Sequence, residues 1–530
     1  MYLDLTAGSP LLLQTRTCVI GAGAAGITAA RALLAAGQEV VLIESGGLDY
    51  EPETSDLNAG ENVGQDYYDL ESCRLRFFGG TTAIWGGRCA ELDPIDFERR
   101  SWVPHSGWPI SYEEMKPYYE RARRVFELPP DPSWDALRAA GMTIPHFDTS
   151  AIQPRLWCFD EAFNRFTFQS CRDLRDHPRC RIVTHATVTE IVAEEGGRGI
   201  AELRGGNAGG GRFTVKAQDY VLAAGGIENA RILLASRDVF PTGLGNQHDQ
   251  VGRYFMEHPH ARGGRVVGAA AWDLLRGFEL KHRVGSHGFS ALVTPGEDLQ
   301  RKEALLNTSL TIAARPPANA DEALAIRAYK HLKHRVAPSR AGRALWMYSK
   351  KATRWAQQRV DPLRPWLLYR MGKVELALVV RAEQAPNPDS RVLLSEDRDP
   401  LGVPRVRLDW RTCELDVHSV RGLVSVLDSE LRRLRLGRVE AADWLMDGSS
   451  EWRTDPLVSM HPIGGYHHMG TTRMSDSPRS GVVDRDGRVH GIGNLYVAGS
   501  SLFPTGGWAN PTVTIVALAL RTADRIAAAG

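Results

Sequence analysis

Gly21-Ala22-Gly23-Ala24-Ala25-Gly26 follows a short apolar run, Thr17-Cys18-Val19-Ile20, and precedes a stretch of helix formers from Ile27 to Ala36. Gly37 stops that stretch. Glu39 to Ile43 reads as a second strand, and it ends at Glu44, 18 positions after the last glycine. A strand, a glycine turn, a helix and a strand ending in an acid, all within about 30 residues, is the pattern that holds a dinucleotide. Gly21 permits the tight turn, Gly23 lets a pyrophosphate approach the backbone, and Gly26 lets the helix pack closely on the strand. The helix N-terminus offers free N–H groups and partial positive charge to phosphates. Glu44 can accept from ribose hydroxyls and would repel a 2′-phosphate.

Three further segments carry unusual residue combinations. Phe77 to Gly87 places Gly79, Gly80, Gly86 and Gly87 among Phe77, Phe78, Ile84 and Trp85, which suits backbone contact with a flat ligand. His461 to Met474 contains His467-His468-Met469-Gly470-Thr471-Thr472. A histidine that is neutral near pH 7 is a fitting proton acceptor. Asn494 to Gly499 reads as a strand, followed by Ser500-Ser501, by Phe503 to Thr512, and by an apolar helix through Arg521.

The elements that must position these residues form an α/β pattern. Arg181 to Val183 and Ala186 to Val192 alternate as strands, and a Gly-rich hairpin signal covers 205 to 211. Tyr220 to Gly226 is a strand running into a turn, with a helix from about Glu228. Residues 262–454 mix strands and helices without nucleotide motifs and read as an insertion. The expected organisation is a Rossmann-like nucleotide domain in three pieces, 1–110, 181–261 and 455–530. A connecting or cap region spans 111–180, and an α+β substrate domain of antiparallel sheet plus helices spans 262–454.

Composition sets outer limits. The 530 residues are 43 % hydrophobic and 24 % charged, enough to bury a large core. The formal net charge of +1 excludes a globally basic nucleic-acid binder. The 52 glycines exceed the usual share of about 7 %. Seven cysteines without a Cys-x-x-Cys pair disfavour a disulfide scaffold, a structural zinc and a redox dithiol, so no metal is expected. Met1 to Thr17 lacks the features of a signal peptide, and no apolar run reaches the ~18 residues of a spanning helix. The expected location is cytoplasmic, or peripheral at the inner membrane.

One stretch departs from this balance. Arg327 to Lys373 holds thirteen Lys or Arg and a single acid, Asp361, which leaves a net of −11 for the other 483 residues. Trp346, Tyr348, Trp355, Trp366 and Tyr369 lie among the charges. Leu345, Tyr348, Ala352 and Trp355 fall on one helical face. Two readings stand: an interfacial segment meeting an anionic membrane or acidic partner, or a solvated excursion docked on the body by its tryptophans.

In this order, the glycine turn, the 79–87 loop and the segment from His467 to Asn510 resemble the glucose–methanol–choline oxidoreductases, flavoenzymes that include pyranose oxidases and bacterial sugar and alcohol dehydrogenases. The resemblance covers the nucleotide-binding parts and leaves the insertion unmatched. It implies FAD on Gly21, Gly23, Gly26 and Glu44, with Val188 beside the adenine. Gly79, Gly80, Trp85, Gly86 and Gly87 would lie over the isoalloxazine, and Gly499 and Ser500 near the ribityl chain. The family's base histidine lies three residues before a Gly-Thr step, which here is His467, and its partner falls 43 residues later at Asn510. His468 takes a supporting place. Pro511 and Thr512 open the last helix, whose positive end would face the flavin pyrimidine ring. Ile84 occupies the position where covalently flavinylated relatives carry a histidine, so the FAD is expected to be non-covalent.

The reaction so implied is oxidation of an alcohol, on a sugar, glycoside or polyol. O2 or a quinone or protein carrier would serve as acceptor, with no nucleic-acid partner. Three alternatives compete. An NAD(P)H-dependent flavoprotein needs a second glycine fingerprint, which is missing. A non-redox lyase retaining FAD is not separable by motif. A membrane-associated dehydrogenase subunit rests on peripheral contact through 327–373.

Overall fold

The computed structural model describes residues 1–5, 10–162, 164–268, 270–318, 339–345, 348–349, 352 and 363–529. Its first sheet is built on Leu11–Ile20. That strand pairs in parallel with Val40–Ile43 on one side and Arg212–Leu222 on the other. Cys180–Thr184 and then Tyr2–Asp4 extend the first edge in parallel. The long strand Arg212–Leu222 divides its partners. Its first half pairs antiparallel with Ile200–Gly206, and its last three residues pair in parallel with Leu495–Val497. Thr187–Ala193 closes that side. Val19, Val41, Leu42, Ile182 and Val221 are fully or almost fully buried, as a parallel sheet covered on both faces requires. Helix Ala24–Ala35 packs on this sheet and against the terminal helix Thr512–Ala529, which in turn meets helix Tyr112–Val125.

The second sheet is antiparallel. Its order is Arg438–Ala441, His260–Val267, Glu375–Arg381, Ser309–Arg315, His287–Pro295, Ile152–Phe159 and Arg88–Cys89. Helix Glu414–Arg433 buries Val417, Val420, Leu423, Val424, Leu427 and Leu431 against it, a 3.6-residue stripe with arginines on the far side. The sheet is less contiguous in sequence than the 262–454 reading implies. It takes Ile152–Phe159 from the stretch read as a connector and Arg88–Cys89 from the end of the glycine loop. The hairpin of Arg391–Arg398 and Pro404–Asp409 likewise pairs with Gly60–Asn62. Short edge strands need only a few ladder bonds, and they carry too little periodicity to announce themselves.

Of the basic stretch, the described parts include helix Leu363–Arg370. Trp346 and Trp355 lie outside the described residues. Arg343 pairs with Asp49 at 2.9 Å and its guanidinium covers the Phe77 ring at 4.9 Å, which ties this segment to the rim of the glycine loop.

Candidate active site

A cavity of about 1620 Å³ runs from the glycine turn to the face of the second sheet. Gly21, Gly23, Glu44, Gly79, Gly80, Trp85, Gly86, Val188, Gly499, Ser500, Pro511, Thr512, His467 and Asn510 all line it. Gly26 and Gly87 do not. A Cβ at Gly26 would sit 1.8 Å from the Gly21 carbonyl oxygen, so this glycine sets the approach of helix to turn. Gly87, expected over the flavin ring, instead packs backbone to backbone on Asp160, whose N–H donates to its carbonyl at 2.8 Å. Its backbone is committed to joining the loop to the second sheet, so it is a structural glycine rather than a wall of the site.

The residues present fit a dinucleotide. A Cβ built on Gly23 meets nothing within 4 Å, so the space beside it belongs to the cavity. Helix Ala24–Ala35 has no side-chain cap and no acid in its first turn. A pyrophosphate would therefore meet the helix's own N–H groups. Glu44 is buried at the end of its strand. Its carboxylate accepts from Ala22 N–H at 2.8 Å and Gly46 N–H at 3.0 Å, which braces the glycine turn, while burial raises its pKa. The Gly79 N–H donates to Ala22 O at 2.8 Å, laying the glycine loop directly on that turn.

At the other end, His467 is held by its backbone and by both ring nitrogens. Its N–H donates to Glu257 Oε1 at 2.8 Å. The same buried carboxylate accepts from His258 N–H at 2.8 Å, Gly465 N–H at 3.2 Å and the Tyr67 hydroxyl at 2.6 Å. His467 Nδ1 lies 2.7 Å from His258 Nδ1, and His467 Nε2 lies 3.1 Å from Asn510 Nδ2. His258 Nε2 lies 2.7 Å from the Gly507 carbonyl oxygen.

These contacts fix the tautomers. A carbonyl only accepts, so His258 Nε2 carries a proton. Neutral His258 then has its lone pair on Nδ1, and His467 Nδ1–H donates to it. The lone pair of His467 is left on Nε2, facing Asn510 and the cavity. Burial, followed by His258, His260, His468 and Arg88, holds His467 well below the ordinary histidine pKa, so it is neutral at pH 7. His468 Nε2 is 3.0 Å from the Tyr67 hydroxyl, and burial with Arg74 lowers its pKa to about 3. Through the Tyr67 hydroxyl it joins the Glu257 network.

Sequence reasoning missed Glu257 and His258. Their signal was weak but present: Met256-Glu257-His258-Pro259-His260 sets three ionisable residues into five at the boundary of two expected segments.

Two family models match the chain in the order the geometry requires. One, described as FAD dependent oxidoreductase, covers residues 16–243, and the other, GMC oxidoreductase, covers 386–519. The chain thus carries an FAD dependent oxidoreductase domain followed by a GMC oxidoreductase C-terminal domain. It is accordingly an FAD-dependent enzyme acting on CH–OH groups. Among similar proteins are 6‴-hydroxyparomomycin C oxidase of Streptomyces lividus, 25 % identical over 96 % of this chain and 91 % of the relative. The 2-methyl-1,2-propanediol dehydrogenase of Mycolicibacterium austroafricanum is 24 % identical over 97 % of this chain and 95 % of its own length. The crystal structure of pyridoxine 4-oxidase from Mesorbium loti shares the fold, with a TM-score of 0.57 at 14 % identity over 96 % of this chain and 99 % of that one. Among the described residues, no helix is long and apolar enough to cross a membrane.

Proposed function

We propose that this enzyme oxidises a secondary or primary alcohol of a sugar, glycoside or polyol, with His467 as the base. The observation that carries the reading is the lone pair on His467 Nε2, fixed by the His258–Gly507 chain and aimed into the FAD cavity. FAD, when held in this cavity, would supply hydride acceptance. His467 takes the hydroxyl proton on Nε2, and the Nδ1–H···His258 bond steadies the imidazolium that results. Asn510 Nδ2–H, now pointing at Nε2, donates to the substrate oxygen once a hydroxyl enters between them. The polyol class draws on the relatives, several of which are named as sugar oxidases or dehydrogenases. Ile84 lines the cavity at the linkage position of the covalent relatives, and its carbon side chain offers no atom for a flavin bond.

The test is an anaerobic panel of polyhydroxy alcohols, read by bleaching of the flavin. Several members of the panel are expected to bleach it. In His467→Ala the flavin stays bound, while its reduction slows by about 10²–10⁴-fold. Wild-type reduction rates in that variant would remove His467 from the base role.

A second reading concerns the electron acceptor. Leu345, Tyr348, Trp366, Leu367 and Met371 of the basic stretch are 63, 71, 42, 53 and 59 % exposed. Ser349, next to Tyr348, lines the cavity, so the stretch reaches the cavity at that point. It suits peripheral contact with an anionic membrane, which would bring a quinone close to the flavin.

A further inference from the structure

Arg88 and Arg381 project into the substrate end of the cavity from two strands of the antiparallel sheet. Among the described residues, neither guanidinium makes an ion pair or a hydrogen bond. Their faces are occupied: each lies 5.0 Å from the Trp157 ring, and Arg88 also lies 5.7 Å from Phe159. Their edges are not. Arg88 Nε, Arg381 Nη1 and Trp157 Nε1 are buried donors without a partner. The neighbouring cations are already matched, Arg315 by Glu279 at 3.0 Å and Lys281 by Glu161 at 2.6 Å. The acids that line the cavity, Glu44, Asp56, Glu71 and Glu228, come from the nucleotide-binding parts and the loop after them. None comes from the strands bearing Arg88, Arg315 and Arg381.

Arg88 and Arg381 are half-buried as whole residues, and two adjacent cations with unmet buried donor atoms are costly unless an anion joins them. Burial and then Arg315 lower the Arg88 pKa, and burial, Arg88 and Arg315 push Arg381 well down. A neutral sugar's hydroxyls can accept from these donors, but they carry no charge to balance two neighbouring guanidinium groups. An oxyanion brings acceptors alone and matches the planar edge of a guanidinium. Arg88, Arg381 and His467 line the same cavity, so an anion held there shares it with the base.

We propose that the substrate is an anionic polyol, whose carboxylate or phosphate oxyanion binds between Arg88 and Arg381 while the hydroxyl to be oxidised meets His467. This rests on the reading of His467 as the base. Arg381 is then a specificity-determining residue, and a cationic amino sugar is a poor substrate.

The experiment compares matched pairs with the holoenzyme: gluconate with glucitol, glucuronate with glucose, and glucose 6-phosphate with glucose. The anionic member is expected to lead by about tenfold or more in kcat/KM for flavin reduction. The carboxylate and phosphate arms tell which oxyanion fits. Arg381→Gln should erase the preference chiefly through KM, and Arg381→Lys should restore part of it. In parallel, calorimetry follows binding of tetrahydropyran-2-carboxylate, which has no hydroxyl to oxidise. It should bind wild type, weaken with salt and weaken further in Arg381→Gln. Equal kcat/KM within every pair, or carboxylate binding indifferent to Arg381→Gln, overturns the proposal while leaving alcohol oxidation in place. Failure of every alcohol to bleach the flavin instead overturns the base reading, and the calorimetry still decides the anion site.

Discussion

His258 does its work at one remove from the reaction. It touches His467 through a 2.7 Å Nδ1–Nδ1 contact and is anchored by the Gly507 carbonyl, so it determines which nitrogen of the base is free. His258→Ala should therefore lower alcohol-driven flavin reduction by roughly 10–100-fold, less than loss of the base itself. The pH profile separates positioning from mere stability. His467 accepts a proton only when neutral, and its pKa lies well below 6.5, so wild-type kcat/KM stays flat as pH falls through 6.5 and drops only at lower pH. Removing His258 takes away the second-largest cause of that lowering and admits water. The acid limb should then move up toward 6.5. A variant that is only less stable would keep its limb in place. At this scale the family resemblance pointed to His467 and Asn510 through their positions around Gly470-Thr471, and the two side chains lie 3.1 Å apart. The sequence did not expose Glu257 and His258, which reach His467 only through a fold that brings residues 209 and 210 positions apart into contact.

The glycine turn shows how one element serves both packing and binding, and how the two can be told apart. A methyl group on Gly26 collides with the Gly21 carbonyl, whereas one on Gly23 enters open cavity. Gly26→Ala should cost about 1–3 kcal/mol or more, because the helix must lift from its strand, and thermal unfolding should show it with or without FAD. Gly23→Ala should leave the apoprotein as stable as wild type and weaken FAD binding, read by flavin titration. Comparable thermal losses in both would contradict this division. A related expectation concerns the loop at 79–87. With Ile84 at the linkage position, heat or acid denaturation should release all the flavin as free FAD, and yellow colour retained in the precipitate would contradict it. The turn was legible because its strand, glycines, helix and acid are contiguous. Gly87 was misplaced because glycine density marks close backbone approach without saying to what. Here the partner is Asp160, at the start of a connection whose preceding strand, Ile152–Phe159, carries only a weak pattern.

Over the whole molecule, charge is divided unevenly: +12 lies in 327–373 and −11 in the rest of the chain. Tyr348, Leu367 and Met371 are more than half exposed and Trp366 is 42 % exposed, while Tyr369 of the same helix packs against the core of the second sheet. Trp346 and Trp355, the other two tryptophans of the stretch, lie outside the described residues. A dipolar enzyme whose cationic stretch reaches the cavity at Ser349 should orient on an anionic surface. Each Lys or Arg near such a bilayer contributes about 1 kcal/mol, and apolar side chains entering the interface add about 25 cal/mol per Å² buried. The attraction weakens as salt shortens the Debye length to about 8 Å at physiological ionic strength. The enzyme should therefore float with phosphatidylserine-rich liposomes at low salt, leave them as salt rises, and ignore neutral phosphatidylcholine vesicles. Trp366→Ser with Leu367→Ser should reduce flotation without altering flavin reduction by soluble alcohols. Sedimentation away from anionic vesicles at low salt would sink the membrane reading. Flotation that survives high salt would show that apolar insertion, rather than the thirteen basic residues, holds the enzyme there.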